Sequence, residues 1–344
     1  GIVSISAEIK ELGKYLGYSG VGITTADDFD EYLEELNTRD NYEFILKNNL
    51  VTYDPKRLMP SAKSIIVLLL DYKQKSMPEN LVNMIGSIYL ARCYDPQPSS
   101  LNGARLKLMA DYLKELGCDV RTDISVPARW AAARSGVATI GRNNFAYADG
   151  IGSYVVIYTL VVDKELEYDT PTMENKCPEN CTLCIDNCPT QAILKPFNLN
   201  PKKCIPYNNW ATKEVPVELR EKIGSRIHGC DKCQEVCPRN KLISGKLSLP
   251  KDEYLEDLSK ELTLSAILNM DDEFFKTRIQ PIMYNYLSKP KMFRRNAIIA
   301  MGNLGDKSYI KDLEVAMNSD DDLISRYAGW ALDNIRMNHD NKSE

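Results

Sequence analysis

Between Cys177 and Cys237 the chain places eight of its ten cysteines, and that density restricts what this stretch can build. The first run reads Cys177-x3-Cys181-x2-Cys184-x3-Cys188-Pro189; a solitary Cys204 follows, and the second reads Cys230-x2-Cys233-x3-Cys237-Pro238. Cubane clusters need four soft thiolate ligands, and a compact loop supplies three of them from one side. Two runs that each close on Cys-Pro follow the two-cluster ferredoxin pattern, in which the cysteine before the proline crosses to the other cluster. Applied here, one [4Fe-4S] cluster takes Cys177, Cys181, Cys184 and Cys237, and the second takes Cys188, Cys204, Cys230 and Cys233. All eight are then used once, with Cys204 standing in for the missing first member of the second run. Two zinc sites of four thiolates would use the same ligands and leave the paired Cys-Pro endings without a reason.

Disulfides are the other use of many cysteines, but disulfide frameworks answer the needs of small secreted domains, and this chain has 344 residues, 44% of them hydrophobic. Reduced thiols in a cytoplasm are expected, with Cys93 and Cys118 as small buried hydrophobes. Only His228 and His339 are available, which excludes a histidine-rich zinc or non-haem iron centre. The formal net charge of -5 gives no global attraction for nucleic acid. No long apolar run and no basic-then-apolar leader occur, so neither a membrane span nor a signal peptide is expected.

The length allows two or three units. The opening reads as an amphipathic helix with Ile9, Leu12, Tyr15 and Leu16 on one stripe, followed by a strand at 20–24. IIVLLLDY at 65–72 reads as a buried strand, 101–117 as a helix, 126–144 as a segment that starts a helix near Pro127 and runs through Ala-rich turns to glycines at 136 and 141, and 152–162 as the clearest strand. An α+β or three-layer α/β domain over 1–168 is expected, then an iron-sulfur domain over 169–245, then helices over 246–344. Within the last, RNAIIAMGN at 295–303 and RYAGWALDN at 326–334 agree at Arg, two Ala and the final Asn, which suggests stacked helical pairs of the HEAT kind.

Two clusters make an electron conduit, and the front domain must supply the destination. No G-x-G-x-x-G fingerprint follows an early strand and no P-loop occurs, so a dinucleotide reductase and a P-loop ATPase are not signalled. The tract GVATIGRNNFAYADGIGSYV at 136–155 offers Gly136, Gly141, Gly150 and Gly152 for close backbone approach to a large flat cofactor, with Asn143, Asn144 and Ser153 to hold peripheral amides. An ordinary pair of loops capping a sheet reads equally well.

The combination of DPKRLMPSAKSIIVLLLDY, RSGVATIGRNN, CTLCIDNCPTQAI, KKCIPY, IGSRIHGCDKCQEVCPRN and FRRNAIIAMGN resembles the epoxyqueuosine reductase family, which is related to corrinoid reductive dehalogenases. The resemblance spans about 50–305. It implies a nitroreductase-like α/β domain carrying base-off cobalamin, a double [4Fe-4S] ferredoxin-like domain and a HEAT-like C-terminus, with the second cluster delivering low-potential electrons to the corrin cobalt. It also implies an external donor such as ferredoxin or flavodoxin. A flavin in the front domain is the competing cofactor.

The sequence departs from that pattern where the family keeps its catalytic Asp. RTDISVPARWAAARSG offers Asp123 one residue out of register, with Ala128 in place of the expected Glu. As a proton donor Asp123 would need an enclosed site and a raised pKa. YLARCYDPQPSS replaces the family's R-D-Y-H stretch, leaving Arg92, Tyr94 and Arg129 as polar residues around a substrate, while Arg142 replaces a common lysine and His228 comes with the IGSRIHGC motif. The C-terminal region is slightly acidic, which counts against tRNA as substrate, although Lys289, Lys291, Arg294 and Arg295 offer a local basic patch. The expected function is a corrinoid-dependent iron-sulfur reductase acting on a small molecule or on tRNA, against a non-enzymatic electron-transfer or corrinoid-activating partner and a purely structural helical module.

Overall fold

The computed structural model describes residues 4–39, 51–93, 98–244, 248–283 and 289–340. Its N-terminal part is a four-stranded antiparallel sheet in the order β1-β2-β6-β3, with β1 Gly20–Thr25, β2 Ser64–Asp71, β3 Val120–Arg121 and β6 Val155–Val162. The longest ladder runs from Ser64 opposite Val162 to Asp71 opposite Val155. Two further strands, β4 Thr139–Ile140 and β5 Ala146–Tyr147, form a small hairpin, and β7 Ile193–Lys195 pairs β8 Asn198–Leu199.

The unbroken apolar run of β2 follows from burial on both faces of the sheet. Ile65, Val67 and Leu69 meet Phe29, Tyr32, Ala131 and Ala132 on one side, while Ile66, Leu68 and Leu70 meet Ile9, Met109 and Leu113 on the other. Alternation along the strand sends successive residues to opposite faces, so a three-layer unit requires apolar side chains at every position. The helices of these layers start where the sequence supplies caps: Ser4 accepts from the Ala7 amide ahead of Ile5–Tyr15, and Ser100 from the Gly103 amide ahead of Leu101–Glu115. Tyr15, placed on the apolar stripe by its spacing, is 87% exposed, whereas Gly13 in the same turn is buried against Val21 and Met109. Cys93 and Cys118 are both buried in the second of these cores.

From Pro290 the chain is helical, with Pro290–Leu304, Ile310–Met317 and Asp322–Asp340 packed together. The two repeat-like segments lie on the first and third of these. They meet where Gly302 lets the Ala331 backbone and the Trp330 ring come so close that a methyl group at Gly302 would stand within about 3 Å of both. The core beneath these helices is shared along the chain: Leu81, Ile85, Tyr89 and Leu90 from the N-terminal part, and Ile205, Leu219, Ile223 and Ile227 from the cysteine-rich part, pack into it. The architecture is therefore α+β, with an N-terminal sheet-and-helix core and a C-terminal helical region. Among the described residues no helix is long and apolar enough to cross a membrane.

Candidate functional site

The cysteine runs fold as loops and single-turn helices, with Cys184 on Leu183–Asn187 and Cys233 on Lys232–Glu235, and the eight thiols divide into two groups. Cys177, Cys181, Cys184 and Cys237 line one small cavity together with Pro178 and Pro238. Cys204 lies within electrostatic reach of Cys230 and Cys188, and Cys233 within reach of Cys204, Cys230 and Cys188. Cys184 also acts on Cys233, so the two groups adjoin. Among the described residues no three His, Cys, Asp or Glu side chains converge as tightly as a single metal ion requires. The donor chemistry and the shared cavity thus fit cubane clusters.

Burial pushes the Cys184 thiol up to about 11 and the Cys204 thiol up to about 12, and it raises Cys230 and Cys233 as well. Iron must therefore displace protons from these groups on binding. Cys188 already accepts a hydrogen bond from the Ala192 amide at 3.3 Å.

The glycine-rich tract of the front domain grips this segment. Arg142 donates to the carbonyls of Pro178 at 2.8 Å and Cys181 at 2.7 Å, holding the first cysteine loop. Asn143 donates to the Cys233 carbonyl at 3.2 Å. Ser153 donates its amide to Asn240 Oδ1 at 2.9 Å and its hydroxyl to Gln234 Oε1 at 2.8 Å, in a fully buried network. Arg142, Asn143 and Ser153, expected around a flat cofactor, thus bind the cysteine segment. Gly141 is explained the same way: a Cβ there would stand 2.6 Å from a ring carbon of Tyr147, so the close approach it permits is that of the protein's own aromatic ring. Gly152, at φ +81°, closes a tight turn onto the Ala148 carbonyl.

Asn144 has a different setting. It is held at φ +69°, its Nδ2 is buried without a hydrogen-bond partner, and it lines a cavity of about 520 Å³ with Glu31, Glu34, Glu35, Trp130, Met173 and Phe197 among the walls. At one wall Glu35 is clamped between Arg129 at 2.8 Å and Arg39 at 2.9 Å, with the Trp130 indole 3.3 Å away. Burial alone would raise the Glu35 carboxyl, but Arg129 and Arg39 outweigh it and hold the group below its usual value. Arg39 in turn lies within electrostatic reach of Cys204, which brings the cavity wall to the second cysteine group. The volume is that of a ligand pocket, and a ligand bearing peripheral carbonyls would satisfy Asn144.

The remaining sequence candidates lie elsewhere. Asp123 is exposed and paired with Arg121 through both oxygens, at 2.6 and 2.9 Å. That hydrogen-bonded pairing lowers its pKa, the opposite of what a proton donor needs. Arg92 pairs with Asp252 at 2.5 Å and stacks on Tyr254, tying the front domain to the C-terminal region. Arg129 spends one amino group on Glu35, while its Nη1 is buried without a partner. His228 is wholly buried against Tyr89, with ring centroids 4.2 Å apart, and burial depresses its pKa to about 3; it is a neutral core residue. Tyr94 falls outside the described residues. The basic patch is reduced: Arg295 is fully buried, Lys291 pairs with Asp321 at 2.8 Å and Arg294 binds the Met270 carbonyl, while Lys289 is exposed. Glu35, Gln234 and Asn240 escape a sequence reading, although Glu35 and Arg39 stand four apart in EYLEELNTRD, the spacing of a helical ion pair.

A sheet-and-helix domain holding a double-cysteine segment against a helical C-terminus defines a class of iron-sulfur reductases, and the comparisons agree. Residues 176–240 match the family model described as a 4Fe-4S double cluster binding domain. Epoxyqueuosine reductase of Bacillus subtilis is 30% identical over 348 residues, covering 97% of this chain and 88% of that protein. A structure of the Bacillus subtilis enzyme, solved with its catalytic aspartate loop swung out of the active site, superposes with a TM-score of 0.79 at 28% identity, covering 95% and 89% of the two chains. A crystal structure of epoxyqueuosine reductase with an epoxyqueuosine-modified tRNA-Tyr stem loop gives 0.76 at 28% identity, again over 95% and 89%. The chain belongs to the epoxyqueuosine reductase family.

Proposed function

We propose that this protein is a corrinoid-dependent reductase with two [4Fe-4S] clusters, one held by Cys177, Cys181, Cys184 and Cys237 and the other by Cys188, Cys204, Cys230 and Cys233. The observation that carries the reading is the pair of adjoining thiol groups gripped from the front domain by Arg142 and Asn143. Residues 1–168 would supply the corrinoid domain, 169–245 the clusters and 246–344 the helical support. A bound corrinoid supplies low-valent cobalt chemistry, which collects single electrons and spends them on a substrate that no side chain could reduce. Asn144 would hold the periphery of that group, with Glu35 fixing Arg129 and Arg39 in the wall beside the second cluster. Electrons would arrive from an external low-potential carrier of the ferredoxin or flavodoxin kind.

The substrate we favour is a small molecule. The related enzyme solved with a tRNA stem loop makes RNA the competing substrate, but the burial or pairing of Arg295, Arg294 and Lys291 weakens the patch that would favour phosphates. Asp123 serves as proton donor in this reading only after its loop breaks the Arg121 pair, a movement of the kind named for the Bacillus subtilis relative.

Anaerobic reconstitution with iron, sulfide and cobalamin, followed by EPR, tests the proposal. Two reducible clusters with stoichiometric base-off cobalt are expected; two clusters with no retained corrinoid would leave an electron-transfer protein instead. Asp123→Asn with full cofactor occupancy should lose turnover, and unchanged turnover would remove Asp123 from the mechanism.

A further inference from the structure

Tyr147 places its phenol on the wall of the first thiol cavity, beside Cys177, Cys181, Cys184 and Cys237. It is 2% exposed, and its position is fixed from three sides. Gly141 makes room for the edge of the ring, the Arg239 guanidinium stacks 4.2 Å from its centroid, and Arg239 is itself anchored on the Thr139 hydroxyl at 2.6 Å. The side-chain amide of Asn143 donates to the Tyr147 oxygen at 2.9 Å, and Asn143 is aligned in turn by the Phe145 amide, which donates to its Oδ1 at 3.1 Å. Because that oxygen already accepts, its hydrogen is left to donate outward, into the cavity whose wall Tyr147 shares with Cys237.

We propose that the Tyr147 hydroxyl donates a hydrogen bond to the Cys237 sulfur and thereby sets the reduction potential of the cluster that Cys237 holds. The inference rests on the ligand assignment made above. A donor aimed at a ligand sulfur stabilises negative charge, and a reduced cluster carries one charge more than an oxidised one. The bond therefore favours reduction and raises the potential. Hydrogen bonds to cluster sulfurs are among the features that tune such potentials, and this one operates in a buried site where water does not compete. Asn143 is a positioning residue here: it orients the phenol and, through the Cys233 carbonyl, touches the turn that carries the second thiol group.

The test is an EPR-monitored redox titration of the reconstituted holoprotein, native and Tyr147→Phe, with Cys237→Ser used to identify the cluster concerned. Tyr147→Phe keeps the ring beside Gly141 and under Arg239 and removes only the hydroxyl. The expected result is a reduction equilibrium about tenfold less favourable for that cluster, close to 59 mV for a one-electron couple, with iron content and the other cluster's potential unchanged. Uniform replacement of tyrosine by 3-fluorotyrosine needs no substitution and makes the phenol a stronger donor, so it should move the same potential upward. If Cys237→Ser leaves both cluster spectra native, the ligand assignment fails and the inference with it. If Cys237→Ser alters one cluster while neither tyrosine change moves that cluster's potential, the inference alone is overturned.

Discussion

Arg295 and Arg326 occupy the same place in the two repeat-like segments, and the fold uses them in opposite ways. Arg295 is completely buried and donates to the carbonyls of Asn208, Asn209, Thr212 and Lys213. The first two belong to the last turn of the helix Ile205–Trp210, where carbonyls have no partners within the helix and a cation complements the dipole. Arg326 lies on the surface, paired with Glu214 at 2.6 Å and Asp322 at 2.7 Å. Arg295→Met keeps much of the stem volume but strands the carbonyls of Asn208, Thr212 and Lys213, at roughly 1–3 kcal/mol for each buried group left unsatisfied, while Asn209 keeps its bond from Asn296 at 2.9 Å. Relief from burying a cation offsets part of that, since burial already pulls the Arg295 pKa down to about 10. A net loss of about 3–5 kcal/mol is expected, the range for breaking a buried charged network from one side. Arg326→Met should cost about 1 kcal/mol at most. Anaerobic urea unfolding of both holoproteins, matched for cluster content and followed by circular dichroism and cluster absorption, measures the difference. Equal costs, or a larger one at Arg326, would refute the reasoning that the guanidinium caps the helix that follows Cys204.

Three other outcomes can be checked on the same material. Glu35→Gln should destabilise by about 2–4 kcal/mol in thermal unfolding at pH 7, because it leaves Arg39 and Arg129 without their shared charge. The native carboxyl is held below its ordinary value, so its contribution is complete above the unfolded-state pKa and disappears as pH falls through the folded one; native and variant stabilities should draw together as acid titration passes below the ordinary carboxyl range. Gly141→Ala would drive a methyl group into the Tyr147 ring and should cost about 1–3 kcal/mol, read as a lower melting temperature together with a perturbed signal from the first cluster. Arg142→Ala frees the loop between Pro178 and Cys181 and should speed iron release from that cluster to a chelator several-fold, leaving the other cluster's release rate near native.

The strands were legible because periodicity encodes them locally. An unbroken IIVLLLD run needs two covered faces, and the structure supplies both. The polar residues of the glycine-rich tract were harder to read. Asn143 and Ser153 find partners at Cys233, Gln234 and Asn240, far along the chain, so nothing near them in sequence distinguishes a residue that faces a cofactor from one that pins another segment. Arg295 and Arg326 make the same point: identical positions in a repeat differ in burial because only one has the cysteine-rich segment packed over it. Asp123 was chosen for its neighbours in a motif, yet its charge is taken up by Arg121, two residues before it.

Leu81, Ile85, Tyr89 and Leu90 lie early in the chain but are covered by helices that come last. During synthesis the ribosome therefore exposes this apolar stretch long before its cover exists, and the interval includes translation of the whole cysteine-rich segment. A nascent chain in that condition is a substrate for chaperones. Shortening the protein from its C-terminal end would make the exposure permanent, so truncated forms should accumulate as aggregates however complete their iron ligands are.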